Sequence, residues 1–201
     1  MPSIEYAVAL RRMRMNHPPA LFARPFYFMR HGETEANANG VVSGSLDVEL
    51  TALGREQAQA AARMLACEPI NAVYSSPLRR ARETAEPIAQ ILRLPITIVA
   101  QLAERRRGGL EGRTAGSVVE DGRSESFEDF AARVLDGLSQ VDSPVPLLVA
   151  HLGVYRVLCR LLQPGCAEDL LGNALPLRFV LLCDRRWRVE ALHRTIGETL
   201  S

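Results

Sequence analysis

At 201 residues, of which 47% are apolar, 23% charged and 5% aromatic, the chain has roughly the length of one domain and needs no disulfide or metal staple to hold a core. Its 24 basic residues nearly balance 23 acidic ones, which excludes a global polycation or an acidic tail. Every basic residue is arginine, so Schiff-base, Walker phosphate-loop and Ser–Lys chemistry, each of which needs a lysine amine, are excluded as well.

Residues 1–24 read as an N-terminal extension: a helix over Ile4–Met15 that His17-Pro18-Pro19 breaks, with a loosely packed leader expected. Its short apolar run, Ile4 to Leu10, has its arginines on the wrong side for a secretory signal. Residues 25–201 read as a single domain in which strands alternate with helices. Strands are predicted over Phe26–Arg30, Ala72–Ser75, Ile96–Val99, Pro146–Ala150 and Arg178–Cys183, with a weaker sixth over Arg188–Leu192. Between them the 3.6-residue spacing predicts a helix from Thr51 to Ala66. A second runs from Leu78 to Leu94, with Ser76 as N-cap, Pro77 at the first helical position and Pro87 as a kink or break. Ser126-Phe127-Glu128-Asp129 opens a third, reaching about Gln140, and Leu152–Leu162 forms a fourth. The alternation predicts an α/β, three-layer sandwich with a mostly parallel central sheet flanked by helices. Phe26, Phe28, Val73, Leu148 and Val149 are its expected sheet core.

The longest uncharged stretch, Ser143 to Tyr155, contains Pro144 and Pro146 and falls short of the ~18 residues of a membrane span. Cys67, Cys159, Cys166 and Cys183 show no C-x-x-C spacing and read as small buried thiols in a reducing compartment. A cytoplasmic location is therefore expected, with neither nucleic acid nor a membrane as partner.

Open α/β sheets bind ligands beyond the carboxyl ends of their strands. Three predicted strands end in polar groups there: Arg30-His31-Gly32, then Ser75-Ser76 with Arg79-Arg80 close behind, and His151. Two of these ends lead into helices, at Ser76-Pro77 and at Leu152, whose free N–H groups and dipole favour an anion. Arginines, histidines and helix N-termini around one point describe a dianion pocket, for which phosphate is the obvious occupant.

These residues resemble a family. Arg30-His31-Gly32-Glu33-Thr34 with Asn37 is similar to the R-H-G-E-T-x-x-N signature of the histidine phosphatases, which include the phosphoglycerate mutase-like enzymes. The resemblance continues through Gly44, Asp47, Leu50-Thr51, Gly54 and Gln57-Ala58, then through Ser75-Ser76-Pro77-Leu78-Arg79-Arg80-Ala81 with Thr84. Leu102, Glu104, Gly108 and Glu111-Gly112, and finally His151 with Gly153-Val154, complete it. It implies a phosphohistidine mechanism on a phosphoglycerate mutase-like fold, with no cofactor and no metal. His31 would be the nucleophile, kept neutral by Arg30, Arg80 and a protonated His151. Arg30, Asn37, Arg80 and the N–H of Leu152 would hold the phosphoryl oxygens together with His151. Glu104 would be the general acid and base, with Glu111 as the rival carboxylate.

Two departures bear on the substrate. Leu152 stands where many members have glycine, so a bulky side chain would line the pocket. Arg105-Arg106-Arg107 stands where mutases resembling this chain show R-H-Y, and reads equally as an anion-attracting substrate rim or a solvated turn. The interval between Glu104 and His151 leaves room for only a short lid, Thr114 to Ser124, and one helix. That suits hydrolysis of a small phosphorylated metabolite better than a mutase, which must shield its phosphoenzyme from water. The short lid resembles the α-ribazole-phosphate phosphatases and the broad-specificity members. A phosphoglycerate-type mutase and a non-catalytic phosphate-binding regulatory protein are the alternatives, and a homodimer is the assembly considered. His17 and His193 lack any motif and read as structural.

Overall fold

A computed structural model describes residues 18–118, 122–163 and 171–192. Six strands form one sheet: β1 (Phe26–Arg30), β2 (Ala72–Ser75), β3 (Ile96–Ile98), β4 (Pro146–Ala150), β5 (Pro176–Leu181) and β6 (Trp187–Ala191). Their order is β3-β2-β4-β1-β5-β6. β3, β2, β4 and β1 run parallel, while β5 and β6 extend the sheet antiparallel. The helices are α1 (Glu35–Ala38), α2 (Ala52–Leu65), α3 (Arg79–Leu92), α4 (Phe127–Ser139) and α5 (Leu152–Leu162).

Strand alternation makes the three layers. Phe26 and Phe28 of β1 join Leu148 and Ala150 of β4 in a core that takes in Val134 and Leu138 of α4 and Val154 and Leu158 of α5. Tyr27 and Met29 join Leu147 and Val149 on the other face, against Ala61 and Leu65 of α2 and Ala85 and Ile88 of α3. Successive side chains of a strand point to opposite faces, so both faces of these central strands are covered and the runs read as continuously apolar. The expected core residues Phe26, Phe28, Val73, Leu148 and Val149 are all buried.

Several boundaries differ from the sequence reading. Residues 1–17 lie outside the described part, and with them the Ile4–Met15 helix and His17; His193 and Cys166 do too. The predicted extension is shorter at its inner end: Ala20–Ala23 forms a 3-10 turn, and Leu21 is wholly buried in the core. β5 and β6 begin earlier than expected, at Pro176 and Trp187. α3 starts at Arg79, not at Pro77, and runs unbroken through Pro87. The lost backbone bond costs about 3 kcal/mol in an exposed helix; here Ala81, Ala85, Ile88 and Ala89 hold the helix by burial. Cys67 and Cys183 are exposed and Cys159 is half-buried, so the thiols described are not the buried ones expected. Among the described residues no helix is long and apolar enough to cross a membrane.

Candidate active site

The parallel register brings the two histidines together. Arg30 pairs with Ala150 across β1 and β4, and the His31 N–H donates to Ala150 O at 3.0 Å. The next residue on each strand is therefore a histidine, and the ring centroids lie 5.3 Å apart. His31 Nδ1 lies 2.7 Å from Gly32 O. A carbonyl only accepts, so Nδ1 carries the proton and Nε2 keeps the free lone pair. That lone pair faces Arg80 Nε at 3.2 Å. Gly32 is the only residue that fits its place, because a Cβ there would overlap Gly54 O.

Arg80 is nearly inaccessible at 1% exposure. Its Nη1 and Nη2 donate to Leu46 O at 2.7 Å and Gly44 O at 2.9 Å, which fixes the guanidinium plane against the loop before α2. Burial pushes its pKa down to about 10, with Glu104 and Asp47 holding it up, so it is charged at neutral pH. Burial, then Arg80 and Arg30, hold His31 well below the ordinary value for histidine. His151 was expected to be protonated, but burial first and then Arg80, His31 and Arg30 hold it well below that value too. Both rings are neutral in the free site.

Two nitrogens here are buried without a partner among the described residues: Arg30 Nε and His151 Nδ1. Buried polar groups are paired in the great majority of cases, so two orphans at one point suit an anion. The third such atom, Arg178 Nε, lies on β5. His151 Nε2 is engaged by Ser76 Oγ at 2.7 Å, and this explains the shifted start of α3. The Ser76 hydroxyl serves the histidine and Leu78 N, while Asp47 Oδ1 takes the Arg79 N–H. That helix end, expected to face phosphate, is thus filled by a carboxylate. The start of α5 is different: His151 is its N-cap without a side-chain cap, and Leu152 lines the cleft.

Asn37 lines the cleft, but its Oδ1 is committed to the capping box of α1, accepting from Thr34 N at 3.2 Å, and to Asn173 Nδ2 at 3.1 Å. Its amide nitrogen is the group left for a ligand. The two carboxylates separate clearly. Glu104 lines the cleft, with Oε2 accepting from Gly153 N at 3.0 Å and Oε1 from Arg105 N at 2.8 Å. Glu111 binds Ser45 N and Arg107 N, both at 2.8 Å, and holds the loop beneath. Gly153 makes room for Glu104, since a Cβ would overlap its carboxylate. Arg133 of α4 grips Glu125 with Nε and Nη2, both at 2.9 Å, and donates from Nη1 to Gln101 O and Ala103 O at 2.8 and 3.0 Å. This pair, with Glu125 buried and Arg133 half-buried, anchors the segment that carries Glu104.

Of the predicted rim, Arg105 and Arg107 line the cleft, but Arg106 faces solvent and is not part of it. Ala115 of the predicted lid also lines it, while residues 119–121 lie outside the described part. Unforeseen are Arg156 and Arg160 of α5 and Phe127 and Phe130 of α4, which line the same cleft of about 620 Å³.

Two buried neutral histidines make the phosphate-free protein acid-sensitive. Their folded pKa values lie below the unfolded 6.5, so below that pH the unfolded chain binds more protons and stability falls with pH. The slope approaches about 1.4 kcal/mol per pH unit for each histidine. Urea melts without phosphate are expected to lose stability between about pH 7 and about pH 5, and His151→Asn to lose less. Equal slopes in the two proteins would contradict the burial argument.

Comparison with known proteins identifies a family and several relatives. The model of the histidine phosphatase superfamily, branch 1, matches residues 26–175. The chain is 33% identical over 189 residues to a metal-independent phosphoserine phosphatase of Arabidopsis thaliana, covering 81% of this chain and 78% of that one. It is 46% identical over 188 residues to phosphoglycerate mutase-like protein 4 of the same plant, covering 81% of each. The structure of a mycobacterial glucosyl-3-phosphoglycerate phosphatase with VO3 superposes with a TM-score of 0.68 at 29% identity, covering 84% of this chain and 98% of that one.

Proposed function

The chain belongs to the histidine phosphatase superfamily, branch 1, and from that membership we propose that it is a metal-independent phosphomonoesterase hydrolysing a small phosphorylated metabolite through phospho-His31. Relatives named as phosphatases support phosphatase activity in general. The observation that carries the finer reading is the Nε2 lone pair of His31, set 3.2 Å from Arg80 Nε where Arg30 and His151 keep unpartnered nitrogens.

In this reading an entering phosphate dianion draws the Arg80 Nε–H away from His31 and frees the nucleophile. Nε2 attacks phosphorus as the bond to the ester oxygen breaks, and the carboxyl proton of Glu104 goes to that oxygen. Arg30, Arg80, His151, Asn37 and the Leu152 N–H hold the three equatorial oxygens. Ser76 accepts from Leu78 N and donates to His151 Nε2, which leaves Nδ1–H as a neutral donor. Water then attacks phosphorus, its proton returns to Glu104, the N–P bond breaks and phosphate leaves. The arginines supply the positive charge that a metal provides elsewhere. Among the described residues no group of three or more His, Cys, Asp or Glu side chains is placed to share an ion.

Release of inorganic phosphate from phosphomonoesters in EDTA tests this reading. Turnover that persists in chelator is expected. Conversion of 3-phosphoglycerate to its isomer with a bisphosphoglycerate primer, without free phosphate, would establish the mutase instead. Phosphate binding with no turnover of any ester would leave the non-catalytic binding protein.

A further inference from the structure

We infer that Glu111 is a positioning residue for phosphate binding, acting on the Arg80 guanidinium through the peptide group between Gly44 and Ser45; this rests on the reading of Arg80 as a phosphate ligand. That peptide is engaged on both sides. Its carbonyl, Gly44 O, accepts from Arg80 Nη2 at 2.9 Å, and its N–H, on Ser45, donates to Glu111 Oε1 at 2.8 Å. The C=O and N–H of a trans peptide point in opposite directions, so carboxylate and guanidinium face each other across it. An N–H given to an anion polarises the amide and strengthens its carbonyl as an acceptor.

The neighbouring contacts fix the guanidinium further. Ser45 Oγ lies 2.9 Å from Glu111 Oε1 and 3.2 Å from Oε2, so one carboxylate holds Ser45 by both backbone and side chain. Leu46 O, on the other side of Ser45, accepts from Arg80 Nη1 at 2.7 Å. With Nη1 and Nη2 both tied to this loop, Nε is left one direction, towards His31 Nε2 at 3.2 Å. Burial lowers the Arg80 pKa, and Glu111 is one of the carboxylates, after Glu104 and Asp47, that oppose it.

The chain is built to bring Glu111 there. Val42 N donates to Arg113 O at 2.8 Å, Gly112 N to Val42 O at 2.9 Å and Ala115 N to Gly40 O at 2.8 Å. These bonds zip the two loops together and place Glu111 against Gly44. Gly44 has a left-handed φ of 50°, and a Cβ on it would overlap the Glu111 carboxylate. Both the turn and the close approach therefore require glycine. At its far end the same loop supplies Asp47, which takes the Arg79 N–H.

Inorganic phosphate, titrated calorimetrically, is the probe. Glu111→Ala is expected to weaken it roughly 10- to 100-fold. Glu111→Gln, which can still accept an N–H, should recover part of that loss. In an Arg80→Met background the Glu111→Ala change should cost less than about threefold, because the two act as one unit. An equal loss in both backgrounds would overturn the route through Arg80 and shift it to Arg107, whose N–H the same oxygen accepts at 2.8 Å. An affinity that Glu111→Ala leaves unchanged would also overturn it. Ser45→Ala keeps the peptide N–H and should cost less than Glu111→Ala; an equal cost would place the effect on the hydroxyl instead. If Glu111→Ala does not fold, Glu111→Gln carries the same cycle with a smaller effect. The Arg80 Nε–H resonance in 15N NMR needs no second substitution: faster exchange with solvent is expected in the Glu111 variant, and an unchanged rate would contradict the positioning role. Ester hydrolysis by wild type without this coupling would keep the phosphatase reading and remove the role of Glu111. Coupling without hydrolysis would do the reverse.

Discussion

Replacing His31 with alanine is expected to lower kcat by roughly ten-thousand-fold or more. The nitrogen that would carry the phosphoryl group disappears, and no neighbour replaces it. His151 lies behind, wholly buried, with its Nε2 engaged by Ser76. Arg30 and Arg80 remain, so phosphate binding should survive the loss of turnover. A circular dichroism spectrum matching wild type, together with retained phosphate affinity by calorimetry, would separate this result from misfolding. A variant keeping even a tenth of wild-type activity would remove His31 as nucleophile.

Glu104→Gln should reveal itself through the leaving group. An alkoxide needs its proton as the P–O bond breaks, whereas nitrophenolate leaves without one. The substitution should therefore cost roughly 100- to 1,000-fold on alkyl phosphates and markedly less on p-nitrophenyl phosphate. Glutamine is close in shape and can still accept from Gly153 N or Arg105 N, so the segment should stay in place. An equal loss on both substrates would contradict Glu104 as the acid. Glu111→Gln, by contrast, loosens a carboxylate that holds Ser45 and Arg107, and any loss it causes should not depend on the leaving group.

The strands and helices that were legible in the sequence are those whose burial is local and repetitive. β1, β2, β4 and α5 have the predicted bounds, because an apolar run or a 3.6-residue stripe states directly which side is covered. The start of α3 was not legible. Its cap comes from Asp47, far back in the chain, and the serine that should have capped it is held by His151. The continuity of α3 through Pro87 likewise depends on tertiary burial that no local propensity records.

The site divides in the same way. His31, Arg30, Arg80, His151 and Glu104 come with a motif, and the structure brings them to one cleft or directly behind it. Arg105-Arg106-Arg107 read as one rim, but Arg105 and Arg107 line the cleft while Arg106 is exposed outside it. Arg156 and Arg160 carried a usable signal, four residues apart on the helix that follows His151. Exposed arginines at that spacing usually mean only a solvated face, and the cleft alone distinguishes them. The expected protonation of His151 is opposed by burial first and then by the neighbouring Arg80 and Arg30 charges, all of which favour the neutral ring.

Phosphohistidine formation tests the central claim most directly. Wild type and Glu104→Gln would be mixed with excess alkyl phosphate in EDTA, quenched in alkali, where a phosphoramidate survives, and digested for mass spectrometry. One phosphoryl group on the peptide containing His31, absent from His31→Ala, is the predicted result. Phosphate release with no phosphorylated protein at any time point, or with the group on another residue, would contradict it.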